Sequence, residues 1–347
     1  MPADPPRIAV VGATGAVGRE ALALLAGRDH PADRVQAVAS ERSAGGVLPY
    51  GEGATVPVLP LDLDALAGTD LVLLAVAAEL ARGLAPELVR RGSRVVDSSS
   101  AFRLEREVPL VVPEVNGALL SAAPPLVAGP NCSTILMVVA LEPLRRAFGV
   151  ERVVVSTYQA VSGAGLAAMR ELEDQARAVL AGRDPEPRAF PEPCAFNVFP
   201  HESPLDAESG LNEEEQKLIR ETRRIWDDPS VRVVPTCARV PVFRSHCQSI
   251  AVTLGAAARE DEVRSALSSA PGVQLLDDRR GRVFPSSLRA AGADDVQVGR
   301  LRPAPDEPPD AEGRARTFCL WLAGDQLRRG AALNALLIGE RLLTRSD

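Results

Sequence analysis

The sequence predicts an α/β chain in two parts: a doubly wound, mostly parallel sheet first, then an α+β region built on a larger, mixed sheet. Three observations carry this prediction. Over residues 1–131, short apolar, β-branched runs alternate with segments of helical period. A glycine-rich turn joins the first run to the first helical segment. Beyond 150 the runs lengthen, alternate in polarity and are less regularly separated by helices.

RIAVVG (7–12) is apolar and ends in glycine, which predicts a buried strand; ATGAVGREALALLAG then follows a helical period and stops at Gly27. RVQAVAS (34–40), DLVLLAV (70–76), RVVDSS (94–99) and PLVAGPN (125–131) predict further strands, with a helical pattern over 79–91. Segment 132–148 reads as a helix that Pro143 should kink. The stretches ERVVVSTYQA, VRVVPTCARVPVF, QSIAVTLGA, VQLLD, VQVGRLR and RTFCLWLAG predict the strands of the second part. Proline-rich 181–206 predicts an irregular loop. RRGAALNALLIGERLLTR is amphipathic, so a last helix over 328–347 is expected to pack back on the first domain. The domains are thus 1–131 with 328–347, and 132–327.

The bulk numbers bound the function. A length of 347 residues fits two domains, and 46% hydrophobic content supplies a sizeable core. A net charge of −7, with both signs interspersed, argues against nucleic acid or an anionic membrane as partner. The longest apolar run, Leu71 to Ala78, falls far short of the roughly 20 residues that cross a bilayer. MPADPPRIAVVGATG lacks the pattern of a signal peptide. The five cysteines are odd in number, widely spaced and without a CxxC pair, which predicts a reduced, cytoplasmic protein with neither disulfide nor metal site. Of 39 Lys plus Arg, only Lys217 is lysine.

Gly12-Ala13-Thr14-Gly15-Ala16-Val17-Gly18 spans a strand end and a helix start and fits G-x-x-G-x-x-G, a variant of the dinucleotide fingerprint. Glycines allow close backbone approach, and the helix N-terminus offers N–H groups to a pyrophosphate. This predicts a Rossmann-type domain whose cofactor contacts include Gly12, Thr14, Gly15, Ala16 and Val17. At the end of the second strand, NAD-binding proteins carry an acid for the ribose 2′-OH. Here Arg42 lies between Ser40 and Ser43, with Glu41 adjacent; an arginine with short hydroxyl donors suits a 2′-phosphate and predicts NADP.

In AGPNCSTI, Asn131 is a good N-cap, so Cys132 falls in the first turn of a helix on the C-terminal side of a strand. Helix N–H groups and dipole favour the thiolate, the nucleophilic form. The alternative is a small buried hydrophobe. A nucleophilic cysteine beside NADP points to acyl chemistry through a thioester.

The stretches GATGAVG, ASERSAG, DSSSAFRLE, PEVN, GPNCSTI, TYQAVSGAG, FNVFPH, NEEEQKLIRETRRI, PTCARVPVFRSHCQS, VGRLR and RRGAALNALLIGE run in order over nearly the whole chain. In these the sequence resembles the aspartate-semialdehyde dehydrogenases. The resemblance implies that L-4-aspartyl phosphate is reduced to L-aspartate 4-semialdehyde with release of phosphate, toward lysine or diaminopimelate, methionine and threonine. It implies Cys132 as nucleophile, His246 as acid/base and Gln159 as the residue that positions substrate. It further implies Arg103 and Lys217 as phosphate binders, Arg239 on the substrate carboxylate and Glu214 on its ammonium. Ser162, Gly163 and Asn334 would contact NADP, and the protein would be a homodimer or tetramer. A related acyl-phosphate or acyl-CoA reductase and a catalytically silent paralogue are the alternatives. One stretch departs from the family: after DLVLL a Ser-Ala-Gly sequence is usual, and here the residues are Ala75-Val76-Ala77.

Overall fold

The structure is a computed structural model and describes residues 4–344. The chain opens with β1 (Ile8–Val11), α1 (Ala16–Ala26), β2 (Val35–Ala39), β3 (Val47–Tyr50), β4 (Ala54–Pro60) and β5 (Leu71–Leu74). Next come α2 (Ala78–Arg90), β6 (Arg94–Asp97), α3 (Pro113–Asn116), β7 (Leu126–Ala128) and α4 (Cys132–Phe148). Then follow β8 (Val150–Gln159), α5 (Leu166–Leu180), β9 (Phe199–Pro200), α6 (Glu213–Ile225), β10 (Arg232–Arg239) and β11 (His246–Arg259). The chain continues with α7 (Glu260–Ser268), β12 (Val273–Leu275), α8 (Ser287–Ala290), β13 (Val296–Pro303), β14 (Arg314–Gly324) and α9 (Leu333–Leu343). By compactness it divides into a unit up to Asn131 that resumes at Ala331, and a unit from Cys132 to Gly330.

The first unit holds a seven-stranded sheet in the order β3-β4-β2-β1-β5-β6-β7. Every neighbouring pair is parallel except β3 and β4. β1 and β5 are buried throughout, as apolar runs covered on both faces should be. The β3–β4 hairpin was not predicted. Its turn holds Gly51 and Gly53 at positive φ, and β3 alternates exposed and buried residues, which suits an edge strand carrying Pro49. Leu336, Ile338 and Leu342 of α9 join Leu71, Val96 and Val127 in the core of this unit. Gly339 permits the close approach: a Cβ there would stand 2.4 Å from Leu71 Cδ2.

The second unit also has seven strands, in the order β12-β13-β14-β11-β8-β10-β9. It is mixed, as predicted, with β8–β10 and β12–β13 parallel and the rest antiparallel. It is larger only in strand length, for β11 runs 14 residues. Pro143 does not interrupt α4, which continues to Phe148 with eleven of its residues buried. Burial of the helix from Ser133 to Glu142 outweighs the lost backbone bond. The predicted loop 181–206 is irregular except for β9. The predicted last helix begins as a π turn, Arg328–Ala332, before α9; positions 345–347 lie outside the described residues. No helix among the described residues is long and apolar enough to cross a membrane.

Candidate active site

Strand register in the second unit brings three predicted residues to one end of the sheet. β8 ends at Gln159 and β10 at Arg239, and these two are register partners in a parallel pair. β11 starts at His246 and runs antiparallel to β8, pairing Cys247 with Tyr158. Gln159, Arg239 and His246 are therefore buried neighbours although they are scattered in sequence. Helix α6 packs on β10 and adds Glu214 and Lys217. A capping box between Asn212 and Glu215 fixes the start of α6, and Glu215 also accepts from the Cys237 amide at 3.0 Å.

Hydrogen bonds hold these side chains in two adjoining sets. Thr157 Oγ1 donates to Gln159 Oε1 at 3.0 Å, and Gln159 Nε2 donates to Glu214 Oε1 at 3.1 Å. Lys217 Nζ lies 3.5 Å from Glu214 Oε2 and 3.2 Å from Glu213 Oε1. The Ala160 backbone serves both remaining residues: its N–H donates to His246 Nδ1 at 2.9 Å, and its carbonyl accepts from Arg239 Nη1 at 2.8 Å. His246 Nε2 is buried with no hydrogen-bond partner among the described residues. Burial, reinforced by the Arg239 charge, pushes the imidazole down to about 3. His246 is therefore neutral, with its proton on Nε2.

Gly163 lies against this pair, since a Cβ there would stand 3.4 Å from His246 Cε1 and 3.5 Å from Arg239 Nη1. Ser162, beside it, accepts a hydrogen bond from Gln326 Nε2. The Gln326 side chain also accepts from the amide of Ser245, a buried residue held at φ 75° just before His246. Backbone strain of this kind next to a buried imidazole persists only where its surroundings over-determine it.

Cys132 is the first residue of α4 and is partly exposed. The first turn of α4 is tied to the strand that begins at His246, because Gln248 Nε2 donates to the Ser133 carbonyl at 2.8 Å. A Cβ at Gly330 would come within 2.9 Å of Cys132 Cβ, so only glycine leaves the cysteine its place. Cys194, Cys237 and Cys247 are different. Burial pushes their thiols up, that of Cys237 to about 12, with Glu214, Glu215 and Cys132 adding to its shift against a Thr157 hydrogen bond.

The other predicted residues belong to the first unit. Gly12 has φ 89°, and a Cβ on it would meet the Ala75 carbonyl oxygen at 2.2 Å. The N-cap Gly15 brings no side-chain cap to α1, so the first-turn amides near Ala16 and Val17 are not covered by one. Thr14 accepts from Arg19 through its carbonyl. Ser40, Arg42 and Ser43 are exposed on a 3-10 turn that follows β2. Asn334 is buried in α9; its Nδ2 donates to the Val111 carbonyl at 3.1 Å, while Oδ1 has no partner among the described residues. Arg103 is buried, with Nε and Nη2 donating to the carbonyls of Gly129 and Ser98, both at 2.9 Å. A glycine cradle that no side chain can enter, an arginine on the turn after β2 and an orphaned buried acceptor fit a phosphorylated dinucleotide that carries an amide. Among the described residues, no group of three or more His, Cys, Asp or Glu is placed to hold a metal.

Sequence reasoning missed His201, Glu202, Ala160 and Gln326. Glu202 bonds Arg239 in both arms of its fork, Nε to Oε2 at 3.1 Å and Nη2 to Oε1 at 2.6 Å. His201 Nε2 accepts from Arg239 Nη2 at 2.9 Å. The stretch FNVFPH, one of those that carried the resemblance, ends on His201 and stops one residue short of Glu202.

The chain is similar to known proteins over nearly its whole length. Residues 7–123 match a family model described as semialdehyde dehydrogenase, NAD binding domain. Residues 141–329 match one described as semialdehyde dehydrogenase, dimerisation domain. An aspartate-semialdehyde dehydrogenase of Synechocystis sp. is 43% identical over 99% of this chain and 98% of its own length. One of Bacillus subtilis is 40% identical over 96% of each chain. Among solved structures, aspartate semialdehyde dehydrogenase II of Vibrio cholerae, complexed with ASA, matches with a TM-score of 0.92 and 36% identity over 99% of this chain and 100% of that one.

Proposed function

Because the chain belongs to the aspartate-semialdehyde dehydrogenase family, we propose that it converts L-4-aspartyl phosphate to L-aspartate 4-semialdehyde and phosphate with NADPH. The observation that carries the reading is the convergence of Gln159, Arg239 and His246 at adjoining strand ends, with Glu214 hydrogen-bonded to Gln159. Four polar groups suited to an amino-acid acyl group thus share one buried place, in the unit that starts at Cys132.

In this reading Arg239 takes the substrate carboxylate and Glu214 its ammonium, while Lys217 and Arg103 bind the phosphate. The Cys132 thiolate attacks the acyl carbon; the S–C bond forms, the C–O bond to phosphate breaks, and a thioester remains on the enzyme. Gln159, held by Thr157 and Glu214, orients the acyl group. His246 presents Nε2–H to the acyl oxygen, where it stabilises negative charge and holds the proton that is exchanged as the sulfur leaves. Burial of His246 excludes water from that step. NADPH, when bound, supplies the hydride that reduces the acyl carbon. Gly12, Thr14, Gly15, Ala16 and Val17 would hold its pyrophosphate, Ser40, Arg42 and Ser43 its 2′-phosphate, and Ser162, Gly163 and Asn334 its nicotinamide end.

The first unit is then the NADP-binding domain and the second the catalytic and dimerisation domain of a homodimer. The test is an assay of NADP⁺ reduction with aspartate semialdehyde in the presence and absence of phosphate. Phosphate-dependent reduction supports the reading. Absence of reduction would favour a silent paralogue, and activity only with coenzyme A would favour an acyl-CoA reductase.

A further inference from the structure

Arg239 meets the site with its donors already engaged. A guanidinium offers five N–H groups, and a carboxylate is bound best by a parallel pair of them. The Nε/Nη2 edge is filled by Glu202 at 3.1 and 2.6 Å, while His201 takes Nη2 at 2.9 Å and the Ala160 carbonyl takes Nη1 at 2.8 Å. These four bonds leave no parallel pair for a second carboxylate. The Arg239 side chain is 2% exposed and that of Glu202 18%, so the carboxylate stands between the buried cation and solvent. Burial works against the Glu202 charge, but the Arg239 hydrogen bonds and charge outweigh it and keep the carboxyl below its ordinary range. Glu202 is the second residue of the segment that joins β9 to α6, and the His201 amide before it is anchored to the Cys237 carbonyl at 2.8 Å. The Glu202 side chain can therefore swing away while the strand stays in place.

Resting on the reading that Arg239 binds the substrate carboxylate, we propose that Glu202 is an internal stand-in for that carboxylate, which the substrate displaces from the Nε/Nη2 edge of Arg239. The physical reason for such a device is the burial of Arg239. A guanidinium this enclosed is costly without a counter-charge, so the empty enzyme keeps one at hand and exchanges it for the ligand's. Glu202 then sets the affinity for the carboxylate end of the substrate and has no bearing on inorganic phosphate. A fixed Glu202 that only orients Arg239, or that receives the substrate ammonium, would have the opposite effect on affinity.

The experiment measures KM for aspartate semialdehyde and for phosphate in the wild type and in Glu202→Ala, Glu202→Gln and Arg239→Ala, with melting temperatures for each. Displacement predicts that both Glu202 variants lower the KM for aspartate semialdehyde by about five-fold, the factor carried by a partly exposed ion pair. The KM for phosphate should not change. Propionate, a carboxylate without an ammonium, should inhibit Glu202→Ala competitively with aspartate semialdehyde at concentrations that leave the wild type unaffected. An unchanged or raised KM in folded Glu202 variants would overturn the proposal. Loss of folding in both would do so too, since a displaceable group cannot be required for the fold. Arg239→Ala is the separate control: an unchanged KM for aspartate semialdehyde there removes the underlying assignment of Arg239, whatever Glu202 does.

Discussion

The Ala160 amide donates to Nδ1 of His246 at 2.9 Å, and this one bond fixes the tautomer of a fully buried imidazole. Nδ1 accepts, so Nε2 carries the hydrogen. In the proposed reaction His246 is therefore a neutral donor at Nε2 and not a resting base.

That state has a consequence for stability against pH. The folded-state pKa of His246 is depressed from 6.5 to about 3, mainly by burial. Between those values the unfolded chain binds a proton that the folded chain does not. The contribution of His246 is therefore fully present above 6.5 and is lost as the pH falls toward 3. His246→Gln should flatten the fall in unfolding free energy over this window by up to about 1.4 kcal/mol per pH unit, one proton's worth. Denaturant melts between pH 7 and 4 check this, and parallel slopes in the two proteins would refute it.

Arg42 projects from the 3-10 turn after β2, exposed and flanked by Ser40 and Ser43. Arg42→Ala should weaken NADPH binding by about 1.5–3 kcal/mol, the range for hydrogen bonds to a charged group, and leave NADH nearly unaffected. Titration with both cofactors decides it, since equal losses would show that Arg42 does not read the 2′-phosphate.

The departure at Ala75-Val76-Ala77 now has a structural setting. The Ala75 carbonyl closes against Gly12, and Ala77 is the N-cap of α2 without a side-chain cap. Restoring the family's residues with Ala75→Ser plus Ala77→Gly should tighten NADPH binding and leave the KM for phosphate unchanged. Ala77→Ser alone should stabilise the fold by about 1 kcal/mol through the missing cap. Calorimetric binding and thermal melts separate the two effects; weaker NADPH binding in the double variant would mean that the native loop is already the better fit.

Lys217 stands 3.2 Å from Glu213 and 3.5 Å from Glu214, an arrangement also found in ordinary surface pairs. As a phosphate binder, its replacement in Lys217→Ala should raise the KM for phosphate well beyond any change in melting temperature. An unchanged KM would return it to the surface-pair role.

Local chemistry explains what could be read before folding. The Gly12–Gly18 turn and Cys132 at a helix start are features of contiguous residues, and α4 begins at the cysteine as its sequence predicts. The β3–β4 hairpin was also written in the alternation of VLPY and the Gly-Glu-Gly turn, but it fell between stronger signals. Other features are properties of register. Gln159 and Arg239 become neighbours only because β8 and β10 run parallel and end level. The Glu202–Arg239 pair spans 37 residues, and one partner lies where no periodicity marks it. Gln326 joins Ser162 to Ser245 across still longer separations.

The proposed reaction depends on covalent chemistry at Cys132. Its most direct measurement is mass analysis of the protein mixed with L-4-aspartyl phosphate in the absence of NADPH, with released phosphate counted in parallel. Stoichiometric phosphate release and an aspartyl group on Cys132 are expected, with neither in Cys132→Ser, because a serine hydroxyl at this position is far less ionised. Phosphate release that persists in Cys132→Ser, or an acyl group found on another residue, would contradict it.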